Sequence, residues 1–372
     1  MKVLIISLAY IPFIGGAELA VKEITDRISD INFDMITVNL DGKRQTVEHV
    51  GNIRVHRLGR GRLAKYFFPF IAFKKAAELH QEQNYDAVWA IMANQAGLAA
   101  LKFKTKFPKT KYLLTLQEGD SLKRIWSRTW FMRSLYKRVY KKADFIQPIS
   151  SFLEKRASKY GYHGKMSVVP NGVDLDKFEK NFSQEELQQF RRELGLANQD
   201  KVVITTSRLV YKNGVDNLIK AVKDLEVKVL ILGSGKLEIK LKSLAQEIGV
   251  KDKILFLGHI DQKDLPKYLK ISDIYVRPSR SEGLGSAFLE SMAAGVPVIG
   301  TPVGGIPDFL VDKENGLFCE VDNPSDLAGK ISILLTDDDL RQKLSTNGRN
   351  LVLQKYDWGS VAKKMEEIFR NL

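Results

Sequence analysis

Two glutamates, Glu282 and Glu290, stand eight positions apart in the segment SEGLGSAFLESMAAGVPVIGTPVGGIPD (281–308), at a predicted strand-to-helix junction. The first N–H groups of a helix lack internal partners and carry partial positive charge, so they suit a phosphate. Gly283 and Gly285 let a ligand approach the main chain closely. A phosphate flanked by two polyhydroxyl groups, each met by a carboxylate, describes a nucleotide sugar. An ordinary helix start would explain Glu282 but not an acid inside the apolar run around Glu290.

Short apolar segments alternate with amphipathic helical ones along the chain, which is typical of parallel sheets covered on both faces. In the first half the predicted strands are 2–9, 35–40, 86–92, 111–117 and 144–150, and the predicted helices 17–29, 64–82 and 122–142. A polar stretch, 175–200, separates the halves. Beyond it the predicted strands are 201–207, 227–233, 254–258, 273–279 and 296–301, and the predicted helices 215–225, 236–248, 264–271, 285–294 and 324–336.

A chain of 372 residues has the length of two domains. We therefore predict an α/β protein with two Rossmann-like, doubly wound parallel-sheet domains facing across a cleft. Ligands of such sheets bind beyond the carboxyl ends of the strands. Glycines or charged residues follow four predicted strands at these ends, namely Gly15-Gly16, Arg208, Gly233 and Glu282.

The composition is that of an ordinary globular protein, with 44% apolar and 27% charged residues. A single cysteine, Cys319, excludes a disulfide framework and a cysteine-rich metal site and fits a reducing compartment. The apolar N-terminal run resembles a signal peptide, but the amphipathic helix after it favours a buried first strand. No apolar run reaches the ~18 residues of a membrane-spanning helix. We expect a cytoplasmic protein.

The net charge of +14 indicates an anionic partner. Residues 121–143 hold eight basic residues and no acidic one, and apolar and aromatic residues recur there at helical spacing. We predict that the helix 122–142 touches an anionic membrane peripherally, at the inner face of the cytoplasmic membrane, with 63–75 as a second contact. Alternatively, its apolar stripe packs on the sheet and its charges are solvated. Nucleic-acid binding is not expected, because no known module is present.

Several motifs occur in an order that resembles the retaining glycosyltransferases of the GT-B fold, family 4, also called glycosyl transferases group 1. Beside the E-x7-E pair, they are PFIGGAELAV (12–21), PNGVD (170–174), SRLVYKNGVDNLIKA (207–221), AAGVPVIGTPVGGIPDFLVDKENGLF (293–318) and YDWGSVAKKMEEIF (356–369). The likeness covers nearly the whole chain. It implies an acceptor-binding domain of residues 1–174, completed by a last helix at 357–372, and a donor-binding domain of residues 175–356.

The resemblance also assigns roles to residues. Glu290 would hold the ribose hydroxyls of the donor, and Glu282 would hold its sugar. Arg208 and Lys212 would neutralise the diphosphate leaving group, which makes Glu282, Arg208 and Lys212 the predicted catalytic residues. The remaining predicted donor contacts are Gly15, Gly16, Asn213, Gly233, Gly283, Leu284, Gly285 and Ser286.

The sequence departs from the family pattern at two places. Asn213 precedes the glycine where the family has a lysine, so that either Lys212 or Asn213 contacts the diphosphate. In TLQEGD, Gln117 stands in place of the usual histidine; it can bind a sugar hydroxyl but cannot titrate. Glu118 or Asp120 could orient the acceptor, and a solvated loop is the alternative for this segment.

The resemblance implies transfer of a hexose from a UDP- or GDP-sugar to a saccharide or lipid-linked acceptor, with retention by front-face displacement and the leaving phosphate as base. We predict no cofactor and no metal, since the D-x-D-like triplet 174–176 directly follows PNGV in a predicted turn. A non-catalytic sugar-nucleotide-binding protein and a GT-B epimerase are alternatives. A dehydrogenase is a weaker one, because Asp41 imitates its ribose acid but the first loop lacks G-x-G-x-x-G.

Overall fold

The computed structural model describes residues 1–13, 15–61, 63–120 and 133–372. The chain forms two compact units. Unit 1 comprises Met1–Gly172 together with Trp358–Leu372, and unit 2 comprises Val173–Asp357. Each unit is built on its own sheet with helices around it, so the predicted α/β class with two Rossmann-like domains is confirmed.

The sheet of unit 1 has the order β3-β4-β2-β1-β5-β6-β7-β8, and all its pairs are parallel except β3 with β4. Its strands are β1 (Lys2–Ile6), β2 (Asn32–Val38), β3 (Val47–Val50), β4 (Ile53–Leu58), β5 (Ala87–Ile91), β6 (Lys111–Leu116), β7 (Phe145–Pro148) and β8 (Lys165–Met166). The helices among them are α1 (Gly16–Thr25), α2 (Ala64–Gln83), α3 (Gln95–Lys106), α4 (Arg133–Lys141) and α5 (Ser151–Lys159). The central strands are buried along their length, which explains their continuous apolar runs.

The sheet of unit 2 is parallel, with the order β11-β10-β9-β12-β13-β14. Its strands are β9 (Val202–Thr206), β10 (Lys228–Leu232), β11 (Ile254–Gly258), β12 (Ile274–Arg277), β13 (Val298–Gly300) and β14 (Leu317–Phe318). Its helices are α6 (Leu175–Phe178), α7 (Gln184–Glu193), α8 (Val215–Ala221), α9 (Glu238–Glu247), α10 (Leu265–Lys270), α11 (Ser286–Ala293), α12 (Pro324–Thr336) and α13 (Asp338–Lys355).

The last helix, α14 (Trp358–Arg370), returns to unit 1 and packs in its core. The ring of Phe369 lies 5.8 Å from that of Phe33 and 5.2 Å from that of Trp89, both edge-on. Edge-on aromatic pairs add about 0.5–1.5 kcal/mol to the free energy gained by burying the rings. The end of the chain is therefore part of the first unit's core.

The sequence reading missed some elements whose apolar pattern is weak. The stretch predicted only as polar, 175–200, contains α7, a helix with no buried residue. Its N-terminus is held by a capping box, in which Ser183 and Glu186 each accept a hydrogen bond from the backbone N–H of the other. The apolar side of α7 consists of Leu187 and Phe190, and the ring of Phe190 lies 4.9 Å from that of Tyr268. Two apolar residues give too weak a period to indicate a helix from sequence.

The basic segment predicted as a membrane helix is described only in part, since residues 121–132 lie outside the described residues. In α4, Val139 and Tyr140 are buried, and the ring of Tyr140 stacks on that of Tyr160 at 4.6 Å. The apolar side of this part therefore packs on unit 1, as the alternative interpretation required. Arg133 and Arg138 lie on its exposed side.

Candidate functional site

The predicted donor residues of unit 2 follow the two strands at the centre of its sheet. β9 lies between β10 and β12, so the chain order of the strands reverses there. The loops after β9 and β12 leave the sheet on opposite sides of this point, and open α/β sheets bind ligands in the resulting crevice. Arg208 and Lys212 are in the first loop, and Glu282 is in the second.

Glu282 is 8% exposed and forms an ion pair with an arginine at the end of β12. Its Oε2 lies 2.8 Å from Nη2 of Arg277, and its Oε1 accepts a hydrogen bond from the N–H of Gly283 at 3.2 Å. Burial alone would lower the pKa of Arg277, but the adjacent Glu282 carboxylate and Tyr275 raise it above its usual value. Arg277 thus keeps its charge and fixes the Glu282 carboxylate at the sheet edge.

Sequence reasoning missed Arg277. Its Nη2 also donates to Oδ1 of Asn213 at 3.3 Å, which connects the loops after β9 and β12. The signal in the sequence was a single cation at the end of an otherwise apolar strand, DIYVRPS. A buried arginine needs a partner, but the strand alone does not show which carboxylate supplies it.

Glu290 lies in the second turn of α11, and its side chain is partly buried. Burial raises the pKa of its carboxyl to about 7, although Lys177, a hydrogen bond with Gln262, and Arg277 act in the opposite direction. Nζ of Lys177 in turn donates to Oε1 of Gln262 at 2.5 Å. These residues, from α6 and the segment after β11, were also missed. They leave Glu290 able to be either ionised or protonated near neutral pH.

The helix start between the two glutamates is built on Gly285, which has a φ of +101° and caps α11 before Ser286. Leu284 is buried beneath this turn. The turn that follows β13 is in direct contact with the loop, since a Cβ on Gly304 would lie 1.9 Å from the backbone oxygen of Glu282. The main chain of the turn at Gly304 therefore packs directly against the main chain of the loop that carries Glu282 and Gly283. A side chain at position 304 would not fit between the two.

The loop after β9 presents two cations and one buried amide. Arg208 is exposed and Lys212 is half-buried in a 3₁₀ turn. Asn213 is 1% exposed, and its Nδ2 donates to the carbonyl of Arg208 at 2.6 Å. Its Oδ1 accepts from Arg277, so the Asn213 amide connects the two loops, and its predicted donor contact stays a prediction.

A second arginine, Arg280, anchors these loops and was also missed. It makes two hydrogen bonds to the carboxylate of Asp216, at 2.9 and 2.7 Å, and a third to Asp322 at 2.6 Å. Its guanidinium stacks 4.1 Å from the ring centre of Tyr211. These contacts raise the pKa of Arg280 further, and they lower the pKa of Asp216 against the effect of burial.

Gly233 directly follows β10 and has a φ of +128°. A Cβ at this position would lie 2.0 Å from the backbone oxygen of Ser207, in the loop after β9, so only glycine fits here.

In unit 1, Gly15 and Gly16 form the exposed start of α1. Oε1 of Gln117 accepts a hydrogen bond from Nδ2 of Asn171 at 3.2 Å, so this residue contacts the PNGVD segment. The predicted acceptor roles of Gln117, Glu118 and Asp120 stay predictions.

The carboxylate of Glu118 points into unit 1. Its Oε1 accepts from the N–H of Ala93 at 2.5 Å, and burial raises its pKa although Arg156 opposes the shift. Arg156, itself 1% exposed, donates to the carbonyls of Glu118 at 3.1 Å and Asp120 at 2.7 Å. Arg156 therefore holds the backbone of this loop in place through hydrogen bonds from inside unit 1, which the sequence did not indicate.

The D-x-D-like triplet begins at a helix cap, where Oδ1 of Asp174 accepts from the N–H of Lys177 at 3.3 Å. In the part of the chain that the structure describes, no three His, Cys, Asp or Glu side chains are grouped so that they could hold a metal ion. The absence of a metal from the reaction stays a prediction.

Two family models match the chain, one for each unit. The model for Glycosyltransferase Family 4 matches residues 14–177, and that for Glycosyl transferases group 1 matches residues 187–351. The chain belongs to the group 1 glycosyltransferases. The family predicted from the ordered motifs is thus confirmed, and the protein is a glycosyltransferase that uses a nucleotide sugar.

Among curated relatives of this glycosyltransferase, a GDP-mannose-dependent alpha-(1-6)-phosphatidylinositol monomannoside mannosyltransferase of Mycobacterium tuberculosis is 29% identical over 302 residues, 78% of this chain and 77% of that one. Sucrose-phosphate synthase from Thermosynechococcus elongatus has the same fold, with a TM-score of 0.89, 22% identity, and coverage of 100% and 98% of the two chains. Anabaena HepE in complex with UDP-glucose matches with a TM-score of 0.85, 20% identity and full coverage of both chains.

Proposed function

We propose that this glycosyltransferase transfers a hexose, with retention, from a UDP- or GDP-activated sugar to a saccharide or lipid-linked acceptor in cell-envelope polysaccharide or glycolipid synthesis. The observation that carries the proposal is the pair of carboxylates, Glu282 and Glu290, on either side of the first turn of α11. Relatives support it, since one is named as GDP-mannose-dependent and acts on a phosphatidylinositol mannoside, and another binds UDP-glucose.

In the proposed reaction the bond between the anomeric carbon and the diphosphate oxygen breaks, and negative charge develops on the leaving diphosphate. Arg208, Lys212 and the N–H groups at the start of α11 stabilise this charge. One preorganised donor of this kind contributes about 3–4 kcal/mol to transition-state stabilisation. Because these cations and backbone amides stabilise the negative charge on the leaving diphosphate, the proposed reaction needs no metal ion.

Glu282 and Glu290 bind the two sugars of the donor. The ion pair with Arg277 suits Glu282 to accept hydroxyl hydrogen bonds from the transferred hexose rather than to attack carbon, because its charge is already compensated. The acceptor hydroxyl then attacks on the face from which the diphosphate leaves and passes its proton to a diphosphate oxygen. This front-face course gives retention.

A thermal-shift panel of UDP-, GDP- and ADP-sugars tests the donor class, because a ligand that binds only the folded state raises Tm. NMR of the product with the stabilising donor then shows the configuration at the anomeric carbon. We expect a rise in Tm with a UDP- or GDP-hexose that is lost in Glu290→Gln, and a product of unchanged configuration. Inversion would disprove the retaining course, and stabilisation by ADP-sugars alone would disprove the donor class.

We also propose peripheral contact with an anionic membrane surface, at the inner face of the cytoplasmic membrane. None of the described helices combines the length and apolar character that a crossing needs. A row of exposed residues at the start of α2 has the spacing of one helical face: Leu63, Tyr66, Phe67 and Phe70, each more than 60% exposed. Nζ of Lys102 lies 4.3 Å from the ring centre of Phe70, which places a cation beside this row. Exposed aromatics with cations around them fit an anionic lipid interface.

Co-sedimentation with phosphatidylglycerol vesicles tests this contact, with phosphatidylcholine vesicles for comparison. Phe67→Ser with Phe70→Ser should reduce binding strongly, and charge removal at Arg133 and Arg138 should reduce it on anionic vesicles only. Ile239→Ser, which changes an exposed apolar residue of unit 2, is the matched control. Equal sedimentation of the aromatic variant and the control would disprove the membrane contact.

A further inference from the structure

A basic cleft lies at the carboxyl edge of the first unit's sheet, and all of its lining residues belong to unit 1. It has a volume of about 570 Å³ and is walled by the ends of β2 and β4, the start of β3 and one turn of α2. This volume lies in the range of roughly 300–1,000 Å³ that is typical of small-molecule sites. Its lining contains five basic or titratable side chains, Arg44, His56, Arg57, Arg60 and Lys75, and no carboxylate.

Most of the cations are partly paired, but with carboxylates that do not line the cleft. Arg44 donates through Nε to Asp41 at 3.2 Å, and Lys75 donates to Glu78 at 2.9 Å. An arginine carries five N–H donors and a lysine three, so Arg44 and Lys75 keep free donors. Arg60 is exposed and makes no ion pair among the described residues. The wall therefore offers more N–H donors than the protein itself uses.

Two buried side chains of β4 line this cleft, so its polar groups are held by the fold and are not all on mobile surface side chains. The side chain of Arg57 is 1% exposed and is fixed by Glu48 and the carbonyl of Ile11, each at 2.5 Å. His56 is 2% exposed, and its Nε2 lies 3.4 Å from Oδ1 of Asp34, whereas its Nδ1 has no hydrogen-bond partner among the described residues. Buried polar atoms of native structures usually have a partner in the protein, an ordered water or a ligand, so this nitrogen can take part in binding.

The chemistry that fits these donors is a phosphate group. Arginine N–H groups match two phosphate oxygens at once, and lysine adds a point charge. The contact of Arg57 with Ile11 places the cleft beside the loop that follows β1, where ligands of such sheets bind. Lys75 is five residues from Phe70, about 7.5 Å along the axis of α2, so the cleft shares a helix with the proposed lipid contact.

We propose that this cleft binds the phosphate group of the acceptor. That the ligand is the acceptor rests on the proposed transfer reaction, whereas phosphate binding by the cleft does not. The shared chemistry is a phosphate monoester or diester, carried either by a small soluble molecule or by a lipid headgroup.

Histidine NMR of the full chain tests the cleft directly. The chain has five histidines, so a ¹³C-histidine spectrum is simple. His56 reports on the cleft, and His259, which follows β11, reports on unit 2. Titration with inorganic phosphate should shift the His56 resonance saturably. Arg60→Gln and Lys75→Gln should each raise the Kd about fivefold, whereas Lys74→Gln, the same charge change one residue away, should leave it unchanged.

The second arm replaces inorganic phosphate with dihexanoyl phosphatidic acid. Tighter binding of the lipid would assign the site to a lipid headgroup, and equal binding would assign it to a soluble phosphate. The proposal is overturned if His56 does not respond to either probe, or if Arg60→Gln and Lys75→Gln bind phosphate as the Lys74→Gln control does. Nucleotide binding by the unaltered protein and by the same variants is measured by thermal shift. If the unaltered protein binds no nucleotide, the proposed donor is wrong, but the result with phosphate still decides whether the cleft binds phosphate.

Discussion

The carboxyl edges of the two sheets are built differently. In unit 2 the loops after neighbouring strands touch through their main chains, as Gly304 does with Glu282. Arg280 connects two of these loops by its ion pair with Asp216, and Arg277 connects them by its hydrogen bond to Asn213. In unit 1 the glycines at the start of α1 are exposed, and a basic cleft opens beside the neighbouring loop. In unit 2, which we propose binds the nucleotide, the loops are fixed in advance, as stabilisation of a developing charge requires. The edge of unit 1 is left open.

The largest effect is expected when the ion pair between Arg277 and Glu282 in unit 2 is broken. Arg277→Met would leave the Glu282 carboxylate buried without its cation. Loss of one partner of a buried pair typically costs about 3–5 kcal/mol, so the free energy of unfolding in urea should fall by about that amount. Arg277→Met with Glu282→Gln should recover most of the loss, because both charges are then gone. An unchanged urea midpoint in the single variant would contradict the role assigned to Arg277.

The main-chain contact in unit 2 can be tested with two glycines of similar backbone angle. Gly304 and Gly258 have φ values of +60° and +70°, but a Cβ would meet the backbone of Glu282 at the first and open space at the second. Gly258→Ala should cost about 1 kcal/mol through backbone strain alone. Gly304→Ala should cost about 2 kcal/mol more, through steric overlap. Equal Tm values for the two variants would show that the loops are not in close contact.

The nucleotide contact of Glu290 should appear in binding rather than in stability. We expect Glu290→Ala to weaken UDP or GDP binding about tenfold to a hundredfold, the usual range for hydrogen bonds to a charged group. Circular dichroism should show the fold intact. Unchanged affinity by isothermal titration would reject the assignment of this residue.

The pH dependence of binding gives a control for the same contact. Because the pKa of Glu290 is about 7, the fraction that carries a full negative charge grows as the pH rises through 7. Affinity for the nucleotide sugar, whose doubly esterified diphosphate does not titrate near neutral pH, should therefore be higher at a pH of about 8 than at about 6. In Glu290→Gln this dependence should disappear, since the amide does not titrate.

The smallest effect on stability is expected in unit 1. A Cβ on Gly16 would lie 3.9 Å from Nδ2 of Asn171, an ordinary contact, so Gly16→Ala should change the free energy of unfolding by less than about 1 kcal/mol. Transfer activity should nevertheless fall if a diphosphate approaches the main chain here. Full activity in this variant would remove Gly16 from the predicted donor contacts.

The sequence alone was enough to predict the fold class and the family. Continuous apolar runs marked the central strands of both sheets, and the E-x7-E pair, with glycines between its members, pointed to a nucleotide sugar. Both signals are local, so neighbouring residues carry them. Elements with few apolar residues, such as α7, could not be predicted in this way.

The tertiary structure decided which groups meet these residues. The partner of Glu282 comes from the end of β12, and the groups beside Glu290, Lys177 and Gln262, come from α6 and the segment after β11. The buried position of Asn213 favours Lys212 as the cation facing the diphosphate. Arg277 is only five residues from Glu282, but spacing alone does not show that the loop folds back to pair them. Lys177 and Gln262 are distant from Glu290 in the chain, and tertiary packing brings them together. Hence the sequence determined the kind of chemistry, whereas strand order and packing decided the ionisation, orientation and neighbours of the groups that perform it.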